Sequence, residues 1–250
     1  MVNHAYIKGF STLPDLKKIN PEQVFEKDRK DSEFIQKEKR IALSQQEFFF
    51  ENHISEDIYE SCERFILDNY PISLQSRKYI DIAREIDEDL IIHRIKNNKD
   101  WMASGHVCFP SSWNPAEKIG MSFDELHSPV PMSLKNSTKI VNAIINSGIF
   151  ERYLWSVVHE RKYNYHPRFP FINFDKNEPK VFIKIERQVT VGFPDKGFCL
   201  FILRQYLIDE EDIDKESLIK TINNMTEEQK KYKGLSDSKD LIDYLGQNIS

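Results

Sequence analysis

The chain has 250 residues, 40% of them hydrophobic and 12% aromatic, enough to bury a substantial core. Charged residues make up 30% and the formal net charge is -5, which argues against a general nucleic-acid binder. Cys62, Cys108 and Cys199 are dispersed, with no CxxC pair; they give no disulfide framework and fall short of an iron–sulfur cluster's four thiolates.

The start, MVNHAYIKGF, lacks a basic-then-apolar signal pattern and no apolar run reaches membrane length, so a soluble cytoplasmic protein is expected. Residues 1 to about 40 are polar, and STLPDLKKINPEQ reads as an irregular arm with turns. The basic stretches KDRK and QKEKR are interleaved with acids and read as solvated helix faces. From DSEFIQKEKRIALSQQEFFF to EDIYESCERFILDNYP, apolar residues recur at helical spacing. Ile58, Cys62, Phe65 and Ile66 form one packing stripe, which Pro71 terminates. RKYIDIAREIDEDLIIHRIKN carries a helix into the strand DLIIHRI.

DWMASGHVCFPSSW then reads as a strand and a turn, and PAEKIGMSFDEL as short helical pieces. SLKNSTKIVNAIINSG reads as an amphipathic helix that Gly148 stops. Three strands follow, RYLWSVVHER, KVFIKIERQVTVGF and GFCLFILRQYLI, the last two joined by the turn GFPDKG. The tail from Glu210, EEDIDKESLIKTINNMTEEQKKY, is acidic and helical. This order predicts an α+β fold: an antiparallel curved sheet with helices on one side, an N-terminal helical extension and a C-terminal helical tail.

Several familiar chemistries are excluded. There is no GxGxxG, GxSxG or HExxH. GFPDKGFC spaces two glycines like a phosphate loop, but Phe198 and Cys199 stand where Lys and Ser or Thr are needed. The seven histidines are scattered, with no tight three-ligand zinc cluster. A metal, if bound, is expected to sit inside a cofactor held by one histidine.

The order strand, AEKIGMSFDEL, longer helix and three strands resembles a PAS domain. More specifically, VCFPSSWNPAEKIGMSFDELHSPVP, LWSVVHE, IERQ and LFILRQY, in that order, resemble the α subunit of haem-dependent oxidative N-demethylase. FEKDRKDSEFIQKEKR and DEDL fit the same family more loosely. The resemblance spans roughly residues 20 to 210. It implies a b-type haem in a PAS-like core over residues 86–210, between the extension (1–85) and the tail (211–250) of a single globular unit. It also implies O2 as oxidant and an amine such as dimethylamine as substrate. Partner subunits would supply electrons from NADPH through FMN and a 2Fe-2S centre, and a tetrahydrofolate-binding subunit would accept the one-carbon product. The chain departs from the family pattern at Leu154-Trp155, where Asn-Trp is usual.

Under that resemblance His127, within ELHSPVP and before Pro129 and Pro131, is the expected iron ligand. His106 and His159 are the rivals. His106 is expected as a satisfied, half-buried histidine, and Cys108 beside it as core. His159 shares a strand face with Trp155 by alternation and would line the distal pocket or bind a propionate. His4, His53, His93 and His166 read as structural or exposed.

In VFIKIERQVTV, Arg187 falls in the apolar register of Ile183, Ile185, Val189 and Val191, while Glu186 and Gln188 point the other way. A buried-register arginine requires a partner. Haem propionates or bound dioxygen would satisfy it; so would an internal salt bridge. Arg204 shares the face of Leu200 and Ile202 and is a candidate propionate contact; Tyr206 follows on that face as a candidate hydrogen-bond donor to the cofactor. Glu186 would hold an alkylammonium group or face solvent. The alternatives to an N-demethylase are a haem enzyme acting on another nitrogen compound, a haem-PAS gas sensor and a cofactor-free binding module.

Overall fold

The computed structural model describes residues 5–7, 15–28, 30–45, 47–130 and 137–249. His4 and Pro131 lie outside the described residues. The N-terminal third contains β1 (Lys17–Lys18), α1 (Ser32–Gln45), β2 (Phe49–Glu51), α2 (Glu56–Asn69) and α3 (Tyr79–Glu85). The core runs β3 (Asp89–Lys96), β4 (Lys99–His106), α4 (Pro115–Lys118), α5 (Phe123–His127), α6 (Ser137–Ser147), β5 (Ile149–Val158), β6 (Phe182–Phe193) and β7 (Phe198–Ile208). Three helices close the chain: α7 (Lys215–Asn223), α8 (Glu227–Tyr232) and α9 (Lys239–Gln247). No helix among the described residues is long and apolar enough to cross a membrane.

The strands form one open, curved antiparallel sheet in the order β1-β5-β6-β7-β3-β4-β2. The five core strands thus stand as β5-β6-β7-β3-β4, with the first core strand beside the last. β1 and β2 are additions at the two edges. The aromatic run ending α1's segment, Phe48 to Phe50, leaves the helix and pairs with β4, because consecutive aromatics suit a half-buried strand better than a helix. β1 is two exposed lysines in an arm with no apolar alternation, so no sequence pattern marks it.

Alternation along β6 and β7 divides the sheet into two faces. Cys199 and Phe201 meet Phe123 of α5 and Val141, Ile144 and Ile145 of α6, so the core helices occupy one face as expected. The opposite face carries Val189, Val191, Leu200 and Ile202. Here Ile58, Cys62 and Ile66 of α2 and Ile82 and Ala83 of α3 cover the sheet. Farther along it, Trp155, Val157, Ile183, Ile185 and Ile208 meet Leu218, Ile222, Leu241 and Leu245 of the C-terminal helices. Burying each such aliphatic side chain contributes about 1.5–3 kcal/mol, which holds these helices against the sheet.

Two glycines seat α6. Gly148 ends it at φ 109°, a left-handed conformation that disfavours side chains. Gly192 on β6 lets the last turn of α6 approach the sheet: a Cβ there would lie 2.1 Å from the carbonyl oxygen of Ile145. Gly192→Ala is therefore expected to shift α6 and lower stability by about 1–3 kcal/mol, read as a fall in Tm. An unchanged Tm would show that α6 is not seated this closely.

Candidate functional site

Helix α5 is short but well fixed. Ser122 caps it reciprocally with Glu125, and its Oγ accepts from the Glu125 amide. Asp100 of β4 accepts hydrogen bonds from the Phe123 amide (2.7 Å), from Thr138 Oγ1 of α6 (3.1 Å) and from His93 Nε2 (2.8 Å). Burial pushes the Asp100 carboxyl up, but these hydrogen bonds, that of His93 foremost, outweigh it and hold the group below its usual value. His93 is therefore a structural residue that ties α5 to the sheet.

His127 sits in the last turn of α5, its ring centroid 4.1 Å from that of Phe123. Its Nδ1 lies 2.7 Å from the Phe123 carbonyl. A carbonyl only accepts, so Nδ1 carries the proton and Nε2 keeps its lone pair. Among the described residues nothing hydrogen-bonds to Nε2. Burial, assisted by the Arg152 charge, pushes the imidazole pKa down from 6.5 to about 4, so it is neutral at pH 7. Between pH 4 and 6.5 the unfolded chain binds a proton that the folded chain does not. Stability should fall as pH drops through that window, and His127→Phe should flatten the decline in denaturant titrations; an equal decline in the variant would assign it elsewhere.

The sheet face that carries α6 also presents a row of polar groups. On it lie Arg152 and Leu154 of β5, Glu186, Gln188 and Thr190 of β6, and Gln205 of β7. Arg152 Nε donates to Gln188 Oε1 (2.7 Å), Gln188 Nε2 donates to Glu186 Oε1, and Gln205 Nε2 donates to Glu186 Oε2 (2.9 Å). Leu154 stands directly opposite Glu186 across the β5–β6 pair. Where β5 runs on past its pairing with β1, Lys233 Nζ donates to the Trp155 carbonyl and lies 5.0 Å from the indole centroid. Burial pushes the Lys233 amine down to about 8, an effect the nearby Glu186 carboxylate opposes. Tyr232 next to it interacts with both Arg152 and Glu186. Two buried polar atoms on this face, Thr190 Oγ1 and Gln205 Oε1, have no hydrogen-bond partner among the described residues.

The other sequence-selected residues lie on the opposite face, as their alternation predicts. Arg187 and Arg204 are direct cross-strand neighbours there. Arg187 donates to Glu151 Oε2 through Nε (3.0 Å) and Nη2 (2.9 Å), and to the Val24 and Gln23 carbonyls at 2.7 and 2.6 Å. The partner demanded by its burial is thus an internal carboxylate, and the same contacts fasten the N-terminal arm to the sheet. Arg204 Nη1 reaches Asp87 at 2.6 Å and Nη2 reaches Asp31 at 2.5 Å, with Glu88 at 3.9 Å. Burial alone would lower the Arg204 pKa; Glu88, Asp87 and Asp31 outweigh it and raise the group above its ordinary value. Tyr206 donates to Glu26 at 2.9 Å.

Trp155 packs edge-on to Tyr6 among the C-terminal helices. His159 Nδ1 donates to the Lys180 carbonyl (2.8 Å) beside Phe174. The structure therefore brings His127 and Glu186 to one face, and sets Arg187, Arg204, Tyr206 and Trp155 on the other, with His159 just past the end of β5.

His106 departs from its expected state. It is fully buried rather than half-buried, and among the described residues neither ring nitrogen has a hydrogen-bond partner. The strand pattern showed which residues flank it but not that no donor or acceptor of the described residues reaches it. His53 is exposed at a positive φ of 51°, and His166 contacts Asn114.

Sequence reading missed Arg152, Gln205, Tyr232 and Lys233. Arg152 had a signal, the same alternation that faces Leu154 away from Trp155. Lys233 had none, because the chain returns to β5 only after β6, β7, α7 and α8.

A family model described as haem-dependent oxidative N-demethylase, alpha subunit-like, matches residues 40–242. The matched region runs from α1 into α9 and includes α5, the six polar and apolar positions of the α6 face named above, and the Tyr232-Lys233 pair. The chain belongs to the haem-dependent oxidative N-demethylase α-subunit-like family.

Proposed function

We propose that this chain is the haem-binding catalytic subunit of an oxidative N-demethylase acting on a small secondary amine such as dimethylamine. The observation that carries the reading is His127: a neutral imidazole with Nδ1–H committed to a backbone carbonyl and Nε2 left as a donor. Backbone-oriented histidine of this kind is how proteins present a ligand to a metal. The chemistry of the residues around α5 and the polar sheet face would suit a haem. His127 would hold the iron, Arg152 and Lys233 would meet the propionates, and Thr190 and Gln205 offer unpaired polar atoms to a buried group. The PAS-like reading of residues 86–210 is supported by the β5-β6-β7-β3-β4 order and by helices on the cofactor face.

Bound haem b supplies the redox-active iron at which O2 is used to oxidise the N-methyl carbon. The balance is one amine methyl, O2, two electrons and two protons giving the demethylated amine, formaldehyde and water. Glu186, on the same face as His127, would hold the substrate ammonium, while Gln188 and Gln205 fix its two oxygens. The electrons would come from a partner reductase carrying FMN, a 2Fe-2S centre and NADPH. A tetrahydrofolate-binding subunit would take the one-carbon product. This chain's three cysteines are fully buried and far apart in the sequence, so the cluster belongs on a partner. Arg187, Arg204 and Tyr206 stay outside the cofactor pocket in this proposal, as framework.

One observation favours a second substrate class. Leu154 places an apolar side chain opposite Glu186, where a nitrogen compound with a larger apolar substituent would gain contact. The test is formaldehyde release from dimethylamine and from bulkier N-methyl amines, with O2 and a chemical reductant. Methyl-dependent formaldehyde supports the reading, and none with any amine at full haem loading overturns it.

A further inference from the structure

A second group of residues, unrelated to the proposed haem pocket, has the chemistry of a metal site. Asp89 opens β3, His106 ends β4, and Cys108 follows it by two residues. Antiparallel pairing of Leu90 with His106 brings the three together. One ligand atom from each lies within 4.8 Å of the other two, and all three residues are 0% exposed. An ion placed among three atoms so spaced lies no farther than 4.8/√3, about 2.8 Å, from any of them. Small side-chain rotations then reach bond lengths of roughly 2.0–2.3 Å.

The independent observation is the His106 ring. It is wholly buried, packed edge-on to Phe48 with centroids 4.9 Å apart, and among the described residues both its nitrogens lack hydrogen-bond partners. A buried imidazole left without hydrogen bonds is costly, and a coordinated ion relieves it. Asp89 is held in place, its two oxygens accepting from the Cys108 and Phe109 amides at 2.9 and 2.8 Å. Each oxygen keeps a free lone pair. Lys39 lies close by, its ammonium engaged by the Ala83, Ile86 and Glu88 carbonyls at 2.7, 2.8 and 3.0 Å. Beside that fixed charge an added net cation would be repelled. A thiolate and a carboxylate around a divalent ion sum to zero, so the site can fill without net buried charge.

We propose that Asp89, His106 and Cys108 bind one divalent ion of the zinc class. Sulfur and imidazole donors select such an ion over magnesium or calcium. Binding releases the Cys108 thiol proton to solvent and joins the start of β3 to the end of β4.

The test is to strip the purified protein with a chelator and titrate it with cobalt(II) alone. The expected result is a near-ultraviolet thiolate-to-cobalt band that saturates at one ion per chain. It should be abolished in Cys108→Ser, weakened by at least about 100-fold in affinity in His106→Gln, and retained in His127→Ala. Should Cys108→Ser fail to fold, the Cys62→Ser/Cys199→Ser chain carries the test, since Cys108 is then the remaining cysteine of three. Its band supports the site. No band in the wild-type chain, or one that persists in folded Cys108→Ser, overturns the proposal. Haem content is read separately as iron, so failure here leaves the haem reading untouched.

Discussion

Arg204→Met is expected to destabilise the chain by about 3–5 kcal/mol. The side chain is 2% exposed and lies between Asp87 and Glu88, which are 1% and 2% exposed. Methionine fills much of the same volume but leaves those carboxylates buried without their cation. Burial pushes the Asp87 carboxyl up, and Arg204 with Gln36 and Ser32 outweighs it, so its folded pKa lies below 3.8. A depressed carboxylate contributes stability that is complete above its unfolded pKa and is lost as pH falls through the folded one. The penalty in Arg204→Met should therefore be full at pH 7 and shrink in acid. Adding Asp87→Asn should recover part of it, because the uncompensated charge rather than the lost contact is the main cost. Since Arg204 faces away from α6, the folded variant should keep a wild-type visible spectrum. A spectrum that changes in folded Arg204→Met would place the arginine against the cofactor.

Glu186→Gln is expected to raise the KM for the amine by about 10- to 100-fold, with haem content unchanged and kcat altered much less. A charge-assisted hydrogen bond contributes about 1.5–3 kcal/mol, and glutamine keeps the shape while removing the charge. The carboxylate oxygens each accept from one amide, of Gln188 and Gln205, which leaves capacity for a substrate N–H. The KM-against-kcat split matters, because a misfolded site would lower both haem content and turnover. An unchanged KM would remove Glu186 from substrate binding.

The core order was legible because its signals are local: period-two alternation in β5, β6 and β7, helical spacing in α2 and α6, and a glycine stop at residue 148. The same alternation correctly set Glu186 against Arg187. It could not say who answers a buried arginine. Glu151 lies 36 residues from Arg187, and Asp31 lies 173 residues from Arg204, and such distant pairings leave no periodic trace. The terminal helices illustrate the same limit. The stripe of Ile58, Cys62, Phe65 and Ile66 announced packing and the tail read only as acidic and helical, but neither showed that these helices would cover the sheet face opposite α6. His106 shows a third case, where the strand position was legible but neither the full burial nor the lack of a partner among the described residues was.

The central claim is that His127 holds a haem. It is tested most directly by the visible absorption spectrum of the purified chain, ferric and dithionite-reduced, beside His127→Ala. The account predicts a Soret band in the wild-type chain that is lost or shifted in the variant and recovered when free imidazole is added. A colourless protein that also fails to take up added hemin would contradict it, as would a spectrum that His127→Ala leaves unchanged.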